Sequence, residues 1–387
     1  MNRKIKMGMV GGGIDAFIGA VHRSAAVLDG KIELVCGAFS STPERSKASG
    51  KELFLPDNRV YGNYEEMIEQ EKTLPEGERM DFISIVTPNH MHYPPAKLAL
   101  ENGFHVVCDK PMTYNLEEAK ELEKLVEKND ALFALTHNYT GYPMIKQARQ
   151  MIREGKIGTI KKIVVEYPQG WLATRLENTD HKQASWRMDP KKAGIASCMA
   201  DIGTHAENLS EYITGLKISA MCADLHAFIE GRPLEDDGNI LLKFEKGASG
   251  VLHASQVSVG EENNLNIRVY GDKAGIEWHQ QDPNTLVVKY NDRPMEIYRT
   301  GAGYEFLSAA ALAHTRVPAG HPEGFIEAFA NIYRNFALTL SAKLEGKEPD
   351  PVYADFPTVH DGVRGMAFLE TVVASNQSQQ KWTAFKV

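Results

Sequence analysis

Along the first third of the chain, short apolar runs alternate with stretches whose apolar positions recur at helical spacing. The pattern predicts strands at 5–10, 32–39, 82–86, 105–108 and 132–136. Helices are predicted at 18–28, from residue 64, at 94–102 and at 116–129. Strands separated by helices of ~10–15 residues imply parallel βαβ units and a doubly wound sheet. Right-handed crossovers then bring the loops after the strands to one edge of the sheet, where ligands bind in such folds.

The pattern changes after about residue 155. Strand-like runs at 157–168, 218–228, 240–244, 250–257 and 265–270 follow one another, and only turn residues separate the later ones. Gly271-Asp272, Asp282-Pro283 and Asn291-Asp292 are predicted turns. Successive strands without intervening helices predict a mostly antiparallel sheet. Long amphipathic helices are expected at 322–344 and 359–374. The expected organisation is therefore a doubly wound α/β domain over 1–140, then an α+β domain over 141–387 with a large open sheet. The C-terminal helices are free to pack back on the first domain.

Composition narrows the function classes. With 387 residues, 43% hydrophobic and 24% charged, the chain reads as an ordinary globular protein of two domains. A formal net charge of -8 argues against a nucleic-acid partner, which would need a basic face. No apolar run is long enough to span a bilayer, and the basic start leads directly into the first strand rather than a signal-peptide core. Cys36, Cys108, Cys198 and Cys222 form no C-x-x-C pair and read as reduced, structural thiols. The expectation is a cytoplasmic protein without a membrane partner.

Four segments carry chemistry. Gly11-Gly12-Gly13-Ile14-Asp15-Ala16 lies between a predicted strand and helix and fits G-x-G-x-x-[G/A], where backbone N–H groups meet a pyrophosphate. Gly19 is an alternative third glycine, implying a loop about three residues longer than usual. At the end of the second strand, Ser40 stands where a carboxylate usually binds the adenosine ribose. Ser41, Thr42 and Arg45 suit a 2′-phosphate, although Thr42 reads equally well as a helix cap. NAD and NADP both remain open as the cofactor.

Thr87-Pro88-Asn89-His90-Met91-His92 and Cys108-Asp109-Lys110-Pro111 follow the third and fourth strands. A lysine at such an edge can hydrogen-bond a substrate hydroxyl and stabilise charge developing on oxygen; the bland alternative is a solvated side chain. Asp201-Ile202-Gly203-Thr204-His205 precedes a helical run, and in a helix Asp201 and His205 would share a face. His205 then reads as a general base for an alcohol proton, or as a core histidine behind an N-cap aspartate. Trp186-Arg187 offers an aromatic face for sugar C–H groups and a guanidinium for hydroxyls, or simple packing. Asn138 and Tyr139 follow the fifth strand. His90, His92, His137 and His205 form no plausible metal set, since no cysteine or second acidic cluster completes them.

Together these segments resemble the Gfo/Idh/MocA family, which includes glucose–fructose oxidoreductase and inositol dehydrogenase. The resemblance covers essentially the whole chain. It rests on the glycine turn, T-P-N-x-x-H ending at His92, the E-K-P-like Asp109-Lys110-Pro111, and D-x-G-x-H from Asp201 to His205. It implies an N-terminal Rossmann domain, a second domain whose open sheet often serves oligomerisation, and catalytic roles for Lys110, Asp201 and His205. Cofactor contacts are expected from Gly11, Gly12, Gly13, Ile14, Ala16, Phe17, Ser40, Ser41, Arg45, Thr87, Pro88, Asn89, His92, Asp109, Lys110 and Asn138. Substrate contacts are expected from Lys110, Tyr139, Trp186, Arg187, Asp201 and His205. Asp109 in place of glutamate, the lengthened glycine loop and Ser40 are departures from the family pattern.

The expected activity is an NAD(P)-dependent oxidation or reduction of a secondary alcohol on a sugar, glycoside or inositol. Two alternatives share the fold: a redox-neutral NAD-dependent glycosidase and a nucleotide-binding regulator without turnover. A homodimer or homotetramer is expected, because an open sheet needs covering.

Overall fold

The first five apolar runs become parallel strands because their side chains are apolar on both faces, as a sheet sandwiched between helices requires. These are β1 (Ile5–Gly11), β2 (Ile32–Ala38), β3 (Phe82–Val86), β4 (His105–Cys108) and β5 (Phe133–Leu135), in the spatial order β2-β1-β3-β4-β5. All five residues of β3 are buried. The computed structural model describes residues 3–14, 16–179 and 181–387. They divide into two compact units, one of residues 1–138 with 325–363 and the other of 139–324 with 364–387.

In the first unit, helices α1 (Phe17–Val27), α2 (Pro43–Glu52), α3 (Tyr64–Glu71), α4 (Tyr93–Glu101) and α5 (Leu116–Lys128) connect or follow the strands. Two starts use the same local device. Asn63 accepts from the Glu66 N–H at 2.7 Å while the Glu66 carboxylate reaches back to the Gly62 N–H. Asn115 and Glu118 repeat it at the start of α5. The helix Phe325–Leu344 also belongs to this unit. Its Phe329, Tyr333, Phe336 and Leu340 bury against Met7, Met9 and Phe82 beside α1. Its length and amphipathic pattern are legible in sequence; which unit it joins is set by this apolar complementarity.

The second unit is built on a nine-stranded sheet among the described residues, in the order β13-β12-β11-β10-β6-β9-β8-β7-β14. Its strands are β6 (Ile160–Pro168), β7 (Ile218–His226), β8 (Asp237–Phe244), β9 (Ser249–Ser255) and β10 (Asn266–Gly271). β11 (Gly275–His279), β12 (Thr285–Lys289), β13 (Glu296–Arg299) and β14 (Thr383–Ala384) complete it. Only the β6–β9 pair is parallel among these; the others are antiparallel. The three predicted turns fall between β10, β11, β12 and β13; of these strands the run at 265–270 is legible in sequence, while β11, β12 and β13 are marked only by the turns around them. Along β8, Ile240, Leu242 and Phe244 are buried while Asn239, Leu241 and Lys243 are exposed, so one sheet face is covered and the other open. Helix α6 (Pro143–Arg153) packs against β11 and β12. No helix among the described residues is long and apolar enough to cross a membrane.

Candidate active site

The parallel sheet of the first unit places five chain segments on its carboxyl edge, one after each strand. After β1, Gly11 and Gly12 adopt φ of +81° and +69°, a region where a side chain is strained. A Cβ on Gly12 would lie 2.9 Å from the Cα of Gly19, and one on Gly19 only 2.3 Å from the Cα of Gly12. Gly19, in the first turn of α1, is therefore the glycine that lets helix and turn touch. Gly13 is pinned to the end of β2: its N–H donates to the Phe39 carbonyl at 3.2 Å, and the Ile14 N–H donates to Ser49 Oγ at 3.1 Å. Arg23 of α1 donates to the Gly12 carbonyl. Ala16 occupies the N-cap of α1 without a side-chain cap, and the first turn carries no acidic residue. The N–H groups at this helix end are thus left for an anion. Ile14 and Phe17 are exposed at the rim, and Asp15 of the motif lies outside the described residues.

The residues present fit a dinucleotide on two counts. The glycine cradle has no room for side chains. Asn138, after β5, is buried with its Nδ2 lacking a hydrogen-bond partner among the described residues, as a group awaiting a ligand acceptor would be. After β2, Ser40 Oγ accepts from the Thr42 N–H at 3.3 Å, and Thr42 stands at the N-cap of α2 without a cap bond from its side chain. Ser41 and Arg45 are exposed beside it.

After β3, Pro88 precedes a 3₁₀ turn at Asn89–Met91, and Thr87 Oγ1 donates to the Met91 carbonyl at 2.8 Å. His92 is 1% exposed, and its ring nitrogens lie 2.8 Å from the Pro111 carbonyl and 2.7 Å from the Thr87 carbonyl. The ring sits between these two carbonyls, one on the β3 loop and one on the β4 loop, and its N–H ties it to backbone. Burial pushes its pKa down despite Asp109 and the two carbonyls, which favour the charged form.

After β4, Asp109 Oδ1 accepts from Thr136 Oγ1 at 2.8 Å and from the Lys110 N–H at 2.9 Å. Burial alone would raise the pKa of this carboxyl. Interaction with His22, Lys110 and His92 outweighs burial and holds it well below the usual range, so Asp109 is an anion. Lys110 follows and is joined to Pro111 by a cis peptide bond. His137 is fully buried near these charges. Burial first, and Lys110 second, lower its pKa to about 3 and keep it neutral.

The second unit carries its own polar constellation. Met199–Gly203 forms a π-helical turn that runs into helix α8 (Thr204–Thr214), so Asp201 is inside a helical turn and is not the cap of α8. The start of that turn hangs on Glu235, whose Oε1 accepts from the Ser197 and Met199 N–H groups, each at 2.9 Å. Burial raises the Glu235 pKa to about 7 against these backbone bonds. Asp201 is held from two sides. Arg187 of α7 (Lys182–Arg187) approaches it at 3.1 Å through both Nη2 and Nε, and Gln256 Nε2 donates to Oδ2 at 2.8 Å. The Arg187 guanidinium lies 4.3 Å from the ring centroid of Trp186 and 5.9 Å from that of Trp171. His205 is buried, edge-on to Tyr139 at 4.8 Å. The Tyr139 and Tyr167 hydroxyls share a hydrogen bond, and Asn263 bonds both, at 3.1 and 2.8 Å.

Within the second unit, then, Trp186, Arg187 and Asp201 are joined, and His205 lies with Tyr139. Trp171, Gln256, Tyr167 and Asn263 were not read from sequence, because each is an isolated residue type with no motif around it. Cys198 is fully buried and its thiol is pushed well up by that burial, which leaves it structural.

Residues 5–137 match the oxidoreductase family with an NAD-binding Rossmann fold, and 145–277 match the Gfo/Idh/MocA C-terminal domain. An uncharacterized oxidoreductase of Bacillus subtilis (strain 168) is 34% identical over 100% of this chain and 98% of its own. The chain belongs to the Gfo/Idh/MocA family. It is an NAD-binding oxidoreductase of that family, with inositol and sugar dehydrogenases among its neighbours. An inositol dehydrogenase homolog from Azotobacter vinelandii is 34% identical, with coverage of 100% of this chain and 98% of that one. It superposes with a TM-score of 0.93 as the NAD+ complex and 0.91 with NADH and myo-inositol. An oxidoreductase from Sinorhizobium meliloti is 44% identical over 99% of this chain and 100% of that one, with a TM-score of 0.88.

Proposed function

We propose that this member of the family is an NAD-dependent dehydrogenase acting on a secondary alcohol of a cyclic polyol or neutral sugar. The observation that carries the reading is Lys110 on the carboxyl edge that also bears the glycine cradle, with its loop fixed by an ionised Asp109. When bound, the nicotinamide supplies the hydride acceptor or donor. The remaining work falls to the chain. Lys110 hydrogen-bonds the reacting oxygen and stabilises its partial charge. His205 takes the hydroxyl proton as general base. Asp201, fixed by Arg187 and Gln256, accepts a hydrogen bond from a neighbouring hydroxyl, and Trp186 offers its face to ring C–H groups. The Azotobacter relative solved with NADH and myo-inositol supports an inositol as the first substrate to try.

The test is nicotinamide absorbance in the near ultraviolet, with NAD and NADP separately, against inositols, aldoses and glycosides. Reduced cofactor should form with one substrate class. Lys110→Ala and His205→Ala should each lower kcat on the order of a hundred-fold or more, while NAD still binds. Absence of turnover across the panel, with nicotinamide retained by the purified protein, would replace this reading with a redox-neutral glycosidase. The open sheet face, with Leu241 and Ile297 exposed, supports self-association, and sedimentation showing only monomer would contradict it.

A further inference from the structure

Behind Asp109 lies a buried polar chain that the reaction scheme above does not use. His22 of α1, Ser84 of β3 and Tyr333 of helix Phe325–Leu344 each have 0% exposure. His22 Nδ1 lies 2.7 Å from the Tyr333 hydroxyl, which in turn lies 2.7 Å from Ser84 Oγ. On the other side of the ring, Nε2 faces Asp109 Oδ1 at 3.8 Å and has no hydrogen-bond partner among the described residues. Phe329 packs edge-on against the ring at 4.7 Å, so the imidazole is held in one orientation.

The proton inventory restricts the chemistry. A bare Nε2 would aim its lone pair at an ionised carboxylate in a dry interior, which is repulsive. A proton on Nε2 removes that conflict. If the ring is neutral, Nδ1 must then accept from the Tyr333 O–H, and the Ser84 O–H donates to the Tyr333 oxygen. If the ring is charged, the donors simply run the other way. In both cases Nε2–H points at Asp109.

We propose that His22 is a positioning residue for Lys110: backed by Tyr333 and Ser84, its Nε2–H orients the Asp109 carboxylate, which grips the Lys110 backbone N–H. The chain brings together α1, β3, the β4 loop and a helix from the far end of the sequence. It gives the Asp-Lys-Pro turn a rigid backing that the backbone alone does not supply. The groups facing this pair are Ser84, Tyr333, Lys110 and His92, together with Thr136 on Asp109. The proposal rests on the assignment of Lys110 to the chemistry.

Its test uses the full-length chain with ¹⁵N-labelled histidine. Ring-nitrogen shifts of His22, assigned by comparison with His22→Gln, should show a protonated Nε2; a bare Nε2 would overturn the proposal. Tyr333→Phe should lower kcat for myo-inositol on the order of ten-fold, with KM and NAD affinity changed by less than about two-fold. His22→Gln, whose amide can still donate toward Asp109, should retain most of kcat, whereas His22→Leu should not. Tyr333→Phe and His22→Leu proteins that fold and keep wild-type kcat would overturn it. Wild-type protein that oxidises no polyol would sink the proposed activity alone. The ring-nitrogen shifts would still decide whether Nε2–H faces Asp109.

Discussion

Replacing Gly19 by alanine sets two effects of opposite sign against each other. Gly19 is inside α1, and a helix-interior alanine is worth about 1 kcal/mol more than glycine. Local propensity therefore predicts a gain. The structure predicts a loss, because the new Cβ would sit 2.3 Å from Gly12 Cα and 2.6 Å from Gly12 O. Both atoms are backbone, so relief requires moving the helix or the turn. Such overpacking costs about 1–3 kcal/mol, and a backbone neighbour places it near the top of that range. The net expectation is a loss of about 1–2 kcal/mol, hence a Tm lower by roughly 2–8 °C for a unit of this size. Displacing the turn also misaligns the N–H groups offered to the cofactor, so NAD affinity should fall about ten-fold or more. Differential scanning calorimetry and NAD titration calorimetry measure both. The matched control is Gly365→Ala in helix Val359–Gln377, where a Cβ meets nothing within 4 Å and the propensity gain should appear unopposed. A Gly19→Ala protein that melts as high as wild type and binds NAD equally well would refute the argument.

Arg187→Ala should raise the KM for the polyol about ten-fold, equivalent to about 1.4 kcal/mol, because Asp201 loses a guanidinium that donates to Oδ1 and lies 3.1 Å from Oδ2. Arg187→Lys should not restore it, since a single ammonium cannot hold both carboxylate oxygens. Glu235→Gln should change the pH dependence of stability. The wild-type carboxyl, raised to about 7, holds a proton that the unfolded chain begins to release near pH 4.5. Its contribution is therefore fully present below that pH and is lost as pH rises through 7, by about 3 kcal/mol. The glutamine amide keeps the acceptor oxygen without the charge, so urea unfolding at pH 5 and pH 8 should show the variant gaining on wild type at the higher pH. Ser40→Asp should raise the preference for NAD over NADP by about ten-fold or more in the near-ultraviolet assay, by binding the ribose hydroxyls and repelling a 2′-phosphate; an unchanged ratio would remove Ser40 from the ribose site.

Features that depend only on neighbours along the chain are legible in the sequence. The alternation of apolar runs with helical spacing marked the five parallel strands, because strand and helix periods differ and each run is fully buried or half-buried accordingly. A parallel sheet then puts the residues after every strand on one edge, so the glycine turn, Ser40, Asn89, Lys110 and Asn138 were legible as an edge set. Gly19 was visible as an alternative third glycine of a lengthened loop; the helix starting at Phe17 places it inside α1 instead, where its contact with Gly12 explains it. Pairings across long separations were decided by tertiary structure. Nothing local marks Tyr333 as the partner of His22, Gln256 and Arg187 as the clamp on Asp201, or Asn263 as the bridge between two tyrosines. Those side chains meet because apolar faces pack, and the polar groups carried inside must find hydrogen bonds in the only places the packing leaves. His92 shows the same rule from the other side. Its motif drew attention to chemistry, but the packed loops placed its ring between the Thr87 and Pro111 carbonyls, where one ring N–H donates to backbone.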